Sequence, residues 1–369
     1  MHPTHRRRAA TLLTALALGA ATATACAATT DSPAGAHTGA APTSAALAAA
    51  SGPSSATTRA DASRATPDGR VLAISLDGLN PTALTRLGRA GTPHLHRLMR
   101  QGASTLNART QVERTVTLPN HTSMITGRRI SASHGGHGVT WNTDRPGSTV
   151  QNASGDAGIA SVFNVVHAAG GKTALFSTKT KFSIFDRSWP GAVNRSVIRE
   201  ERDAALVRVL RRDLVRHDRA FTFLHLGLAD HTGHAQKWMS PAYLTAVRTL
   251  DRLLGTVLDT IKEKPRLSDV RIVLTADHGG VPGTTGHGNA TKRDDYRVPF
   301  LVWGPGVDRG NLYAMNAKVR RDPGKDRPRF GGKQPVRNGE LANVATDLLG
   351  LRAVPDSKWN RKQNLAWTD

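Results

Sequence analysis

Three apolar runs in this chain lead into an aspartate. Val71–Leu76 precedes Asp77, "AFTFLHLGLAD" closes on Asp230, and "DVRIVLTAD" closes on Asp277. One such acid would be an ordinary cap for a following helix. Three that converge repel one another unless a cation lies between them. Histidines stand beside them: "DHTGH" adds His231 and His234, "DHGG" adds His278, and "GHG" adds His287. A lone histidine in a loop is most often structural, but here imidazole and carboxylate recur together after successive strands. That donor mixture suits zinc or a similar borderline metal. Asp230 and His234, with three residues between them, can grip one ion, and the adjacent Asp277 and His278 can hold a second or one each.

A pair of divalent ions can clamp a phosphoryl group and lower the pKa of a hydroxyl. The chain offers such a hydroxyl in "VTLPNHTSMITG", residues 116–127. Thr117 has two readings. It can cap a short helix whose first turn is Leu118-Pro119. It can also act as a nucleophile, at a helix N-terminus where backbone N–H groups favour an anion.

The elements that must position these groups alternate. Strands are expected at Val71–Leu76, "KTALFST", "AFTFLHL", "DVRIVLT" and "RVPFLVWG". Helices are expected from Pro93 to Gln101 and in "SVFNVVHAAG", "ERDAALVRVLRRDLVRH", "PAYLTAVRTLDRLLGTVLDTIKE" and "ELANVATDLLGL". This order predicts an α/β fold with a mainly parallel sheet covered on both faces. Ligands of such sheets sit outside the carboxyl ends of the strands, where the three aspartates fall.

Asp77 after its strand, "TLPNH", "DHTGH", "TADHGG" and "GHG" occur in the order that resembles the alkaline phosphatase superfamily. "TLPNHTSMITG" is most similar to the type I phosphodiesterase/nucleotide pyrophosphatase branch. The resemblance runs from about Val71 to Leu349. It implies an alkaline phosphatase-like sheet sandwiched between helices and a catalytic domain over 69–369. It implies two divalent ions, zinc by default, one held by Asp77, Thr117, Asp277 and His278 and the other by Asp230, His234 and His287. Thr117 would be the nucleophile that attacks phosphorus, and Asn142 in "HGVTWN" would give its amide N–H to a phosphoryl oxygen. The implied activity is hydrolysis of phosphodiester or pyrophosphate bonds through a threonyl-phosphate.

Two features depart from that pattern. The branch places its last histidine ligand far downstream, whereas His287 lies nine positions past His278 and no histidine follows it. The spacing of phosphomutase and phosphatase relatives allows His287 that role. An insert around "SASHGGHG" lengthens the path from Thr117 to Asn142, and its His134 and His137 are expected at the surface. A sulfatase would need a C/S-x-P-x-R segment, which is absent, as is a P-loop. His225 and Asp203 have no third partner for a serine triad. Within the superfamily the alternative is a phosphomonoesterase or phosphonate hydrolase, with Arg114 as the added cation. Outside it, the alternative is a non-catalytic module binding anionic polymer.

The formal charge of +22 favours acidic partners: phosphate esters and an anionic wall or membrane surface. No dense basic tract with interleaved aromatics suggests specific nucleic-acid readout. The first 26 residues read as a secretory signal peptide, with Arg6–Arg8, an apolar run and Ala23-Thr24-Ala25. The only cysteine, Cys26, excludes an internal disulfide and offers a lipid attachment point. Residues 27–68 are rich in Ala, Ser, Thr and Pro and are expected to be a flexible linker. A secreted or cell-surface protein follows, with no transmembrane span once the leader is removed. Lys179–Arg187 and the basic stretch Asp308–Asn338 are expected to be surface loops that set specificity.

Overall fold

The computed structural model describes residues 66–368. The signal peptide, Cys26 and nearly all of the expected linker lie outside them. The fold starts slightly before residue 69, since Asp68 N–H donates to the Leu349 carbonyl at 2.9 Å.

Eight strands form one sheet. They are β1 (Arg70–Leu76), β2 (Ala103–Arg109), β3 (Thr173–Ser177), β4 (Ser196–Ile198), β5 (Phe221–Leu226), β6 (Val270–Thr275), β7 (Arg297–Trp303) and β8 (Gly310–Asn311). Their order is β4-β3-β5-β1-β6-β7-β2-β8. β1 lies parallel between β5 and β6, with Ser75 level with both His225 and Thr275. The carboxyl ends of these three central strands are therefore flush, and the segments carrying Asp77, Asp230 and Asp277 leave the sheet at one edge. Every residue of β1 after Arg70 and all of β5 are buried, as a strand covered on both faces requires.

Helices cover both faces. Pro81–Gly91, Pro93–Gln101, Asp203–Arg216 and Pro241–Glu263 pack together on one side, and Thr117–Thr126, Val162–Ala168 and Leu341–Leu348 on the other. Their starts follow local chemistry. The Ser240 hydroxyl accepts from Tyr243 N–H ahead of Pro241, and Ser161 forms a capping box with Asn164. Along Pro241–Glu263 the buried residues Val247, Leu250, Leu254, Val257 and Ile261 recur every three or four positions, which turns one stripe to the sheet.

The mainly parallel sheet is as expected, with β7 alone running antiparallel to both neighbours. Other expectations need correction. β2, reading "ASTLNAR", lacks the apolar run that marks the central strands. Lys179–Arg187 is not a loop: a 3-10 turn at Thr180–Phe182 leads into the helix Ser183–Ser188. Asp308–Asn338 is not simply surface loop either. It supplies β8 and the helix Leu312–Met315, and it buries Arg320 and Arg337. Those guanidiniums are accommodated because Arg320 pairs with Glu340 at 3.0 Å and Arg337 donates to the Thr110 carbonyl at 2.9 Å. Among the described residues no helix is long and apolar enough to cross a membrane.

Candidate metal centre and nucleophile

The turn after β1 sets the geometry. Gly78 has φ 70°, and a Cβ there would lie 2.8 Å from Asp230 Cα, so the turn can press against its neighbour only as glycine. The contact is laced with hydrogen bonds. Asp230 N–H donates to the Asp77 carbonyl at 3.1 Å, and Gly78 N–H donates to Asp277 Oδ1 at 3.1 Å. The Tyr243 hydroxyl donates to the Gly78 carbonyl at 2.7 Å. Asp230 is not in a strand-end loop as its sequence suggests. It occupies the first turn of the helix Leu228–Gln236, which puts His234 one turn further along the same face.

Asp77, Asp277 and His278 are fully buried, and Asp230 is nearly so. His278 Nε2 lies 3.1 Å from Asp277 Oδ2, 3.3 Å from Asp77 Oδ1 and 3.7 Å from Asp230 Oδ1. All four of these atoms are buried without a hydrogen-bond partner. Buried polar atoms are almost always satisfied, so four orphans aimed at one point indicate a missing partner. A divalent cation fits that donor set.

A second group adjoins it. His234 Nε2 and His287 Nε2 lie 3.4 and 3.6 Å from Asp230 Oδ1 and 3.1 Å from each other. In each imidazole the other nitrogen is already tied to a carbonyl. His278 Nδ1 meets Gly279 O at 2.9 Å, His234 Nδ1 meets Thr285 O at 2.8 Å, and His287 Nδ1 meets Thr115 O at 2.6 Å. Those bonds select the tautomer whose free Nε2 points inward, as metal-binding histidines require. His287, nine positions past His278 in sequence, folds back so that the two rings stack at 3.6 Å. The donors divide less cleanly than the resemblance implies, because Asp230 Oδ1 borders both groups.

Electrostatics agree with a site built for cations. Burial pulls the His278 imidazole down, but Asp277, Asp77 and Asp230 outweigh it and hold its pKa up at about 9. Burial and the neighbouring His278 push His287 down to about 3. Burial would raise the Asp77 carboxyl, yet Lys179 and His225 keep it well below the usual range.

Thr117 is buried and is the first residue of the helix Thr117–Thr126, not its cap. The cap position falls on Val116, which offers no side-chain hydrogen bond. Asn142 supplies the bond instead, its Oδ1 accepting from Leu118 N–H at 2.8 Å. The lengthened insert therefore does bring Asn142 to the start of the helix that carries Thr117. His134 is exposed as expected, but His137 is fully buried: its Nε2 meets Ser123 Oγ at 2.9 Å and pins the insert beneath the helix. Asn120 and His121 of "TLPNH" are scaffold. His121 bridges the Thr117 carbonyl and Ser75 Oγ, both at 2.8 Å.

Two functional groups escape sequence reasoning. Lys179 Nζ lies 2.6 Å from Asp77 Oδ2, 2.6 Å from Asp230 Oδ2 and 3.4 Å from Thr117 Oγ1. His225, dismissed as a triad member, presents Nε2 to Asp77 Oδ2 at 3.0 Å and fixes that carboxylate. Its position, next to last in β5, was the available signal, because β5 pairs with β1. Arg114, weighed as the extra cation, is exposed and touches the site only through its carbonyl, which accepts from Asn120 Nδ2.

The family model described as Type I phosphodiesterase / nucleotide pyrophosphatase matches residues 71–328. The chain belongs to this family. Mouse ectonucleotide pyrophosphatase/phosphodiesterase family member 1 is 28% identical over 228 residues, covering 58% of this chain and 24% of that protein. GPI ethanolamine phosphate transferase 1 of Neurospora crassa is 34% identical over 102 residues, covering 27% of this chain and 10% of that protein. The chain thus spans a quarter or less of the curated relatives it matches. Among solved structures, inactive murine ectonucleotide pyrophosphatase/phosphodiesterase 5 in complex with AMP superposes with a TM-score of 0.56 at 16% identity, covering 81% of this chain and all of that one. An alkaline phosphatase superfamily protein from Vibrio parahaemolyticus gives 0.56 at 14%, covering 81% of this chain and 70% of that one. These likenesses bear out the alkaline phosphatase-like fold.

Proposed function

We propose that the protein hydrolyses phosphodiester or pyrophosphate bonds with Thr117 as nucleophile, through a threonyl-phosphate. The observation that carries this reading is the convergence of four unpartnered buried donors beside the Thr117 hydroxyl. Asp77, Thr117, Asp277 and His278 would hold one divalent ion and Asp230, His234 and His287 a second, with zinc the choice for mixed carboxylate and imidazole donors. When bound, such ions supply Lewis acidity that activates a hydroxyl or water at neutral pH.

The chain's own groups do the rest. Thr117 Oγ1 stands at a helix N-terminus, whose partial positive charge stabilises phosphate oxygens. Asn142, held by its Oδ1 at Leu118, has its amide N–H groups left to donate to a phosphoryl oxygen. His121 and His225 lock the nucleophile loop and Asp77 in place. The sequence at residues 1–26 supports action outside the cytoplasm, with Cys26 as a lipid anchor and anionic wall or membrane polymer nearby.

The test is turnover of bis(p-nitrophenyl) phosphate by purified protein. Thr117→Ala should lower kcat/KM by at least about a thousandfold, and chelation should abolish turnover until metal is restored. Near-wild-type turnover by Thr117→Ala would refute the nucleophile. Salt-sensitive polymer binding that ignores chelation, with no turnover, would favour the non-catalytic module.

A further inference from the structure

We infer that a basic face at the amino edge of the sheet, opposite the Asp/His centre, docks the protein on an anionic membrane surface. The inference gives a face to the anionic surroundings proposed above and is independent of the chemistry at Thr117. β1, β5 and β6 start level with one another, Arg70 beside Val270 and Val71 beside Phe221. The helices Asp203–Arg216 and Pro241–Glu263 both end at that starting edge, since each leads into one of these strands. Toward their ends lies a hollow of about 460 Å³, lined by Arg208, Arg211, Arg212, Arg216 and Lys264, with Glu263 as the acid of the lining. Arg208, Arg212 and Arg216 stand four residues apart and form one exposed ridge.

Structural roles do not account for this ridge. Arg211 has one: its Nε donates to Thr260 Oγ1 at 2.6 Å and ties the two helices together. Among the described residues, Arg208, Arg212, Arg216 and Lys264 have no ion-pair partner. The acids of the helix are turned away from them. Asp203 is buried and accepts from Leu228 N–H, and Asp213 is buried and pairs with Arg219. Asp218 and Asp269, at the same edge, are taken by Arg70. Attraction to the helix C-terminus accounts for Arg212 and Arg216 but not for Arg208, two turns before the end. Like charges one turn apart repel, so the ridge weakens its own helix until an anion lies across it.

The neighbouring surface selects the kind of anion. Lys264 also lines a second hollow, of about 350 Å³, whose walls include Leu258, Ile261, Trp303 and Pro305. Trp303 ends the antiparallel strand β7 and so falls at the same edge. A half-buried indole and an apolar hollow beside a row of guanidiniums match a bilayer interface, where aromatic rings sit at headgroup level and basic groups meet anionic lipid. A soluble polyanion would use the ridge and leave the apolar hollow uncovered. The chain also enters the fold here, where Thr66 and Pro67 line a further hollow with Lys172 and Asp218. Cys26 precedes Thr66 by 40 residues, a length that spans roughly 130 Å when extended. An anchor on so long a segment brings the protein to a membrane without orienting it. The basic face supplies the orientation and turns the Asp/His centre outward.

The test is sedimentation of the purified protein with vesicles at physiological ionic strength. Phosphatidylcholine vesicles that contain phosphatidylglycerol should bind wild type at least about tenfold more tightly than pure phosphatidylcholine. Arg208→Glu/Arg212→Glu should lower that affinity by about 10- to 100-fold, with Tm and turnover of bis(p-nitrophenyl) phosphate unchanged. The control pair Arg361→Glu/Lys362→Glu makes the same change of net charge in a hollow lined by other elements and should bind as wild type does. Brominated lipid should quench tryptophan fluorescence, and Trp303→Phe should remove most of that quenching. Equal losses in the two charge-reversed variants would leave net charge as the cause. Binding to neutral vesicles that ignores Arg208→Glu/Arg212→Glu would leave the anchor as the cause. Either result overturns the inference, as does binding of soluble polyphosphate without binding of vesicles, which assigns the ridge to a free polyanion. A wild type that binds anionic vesicles but turns over no phosphoester keeps this face and sinks the Thr117 chemistry instead.

Discussion

The two halves of the centre are built differently. Asp77, Asp277 and His278 follow the ends of adjacent strands and have no exposure. His234 and His287 come from a helix and a loop, and the His234 side chain is 49% exposed. A donor set fixed by the sheet is preorganised and sealed, so an ion bound there should dissociate slowly. A set completed by a half-exposed imidazole should exchange its ion with solvent. On the proposed reading, the difference would separate a resident cation beside Thr117 from an exchangeable one on the open side.

Substitutions can break or sharpen that contrast. The largest effect should come from His278→Gln, which removes an inner donor that cannot be replaced by water in a sealed site: turnover falls at least about a thousandfold, and metal analysis shows loss of the tightly held ion. His234→Gln should cost about a hundredfold, with the slow-exchanging ion retained and activity partly restored by excess zinc. Equal metal loss in the two variants would erase the distinction. His225→Phe touches no expected metal but frees Asp77, so inner-site affinity should drop about 10- to 100-fold in a chelator competition. Gly78→Ala strains the turn and pushes on Asp230, and chemical denaturation should show a loss of about 1–3 kcal/mol.

The smallest effect concerns pH in metal-free protein. Burial lowers His121 to about 4 and His137 to about 3. The unfolded chain therefore binds protons that the native state refuses, and the stability these imidazoles contribute is complete above about pH 6.5 and lost as pH falls toward 3. Tm should decline across that window. His137→Leu, which no longer has a proton to take up, should flatten the decline.

Much of this was legible in the sequence because strands buried on both faces must be apolar and their ends are marked by acids. Asp77, Asp230 and Asp277 announce the edge of the sheet, and "TLPNH" announces the helix start that lies beside it. β2 was hidden because an edge-side strand alternates and carries no apolar run. Lys179 was hidden because a lysine in "STKTKF" looks solvated, and only the placement of β3 beside β5 turns it inward. His137 was misread for the opposite reason: a histidine among glycines suggests a surface loop, whereas its hydrogen bond to Ser123 depends on a helix that precedes it by the length of the insert. Local pattern reveals which residues have chemistry to offer; pairing across the sheet determines which of them meet.

The bond between Gly78 N–H and Asp277 Oδ1 joins positions 199 residues apart. β1 emerges early in synthesis, yet its aspartate cannot share a cation with Asp277 and His278 until β6 has been made and has docked beside it. An incomplete chain has no high-affinity site to fill with whatever ion is abundant at the point of synthesis. A cation held by these donors would therefore be taken up only once the sheet has closed.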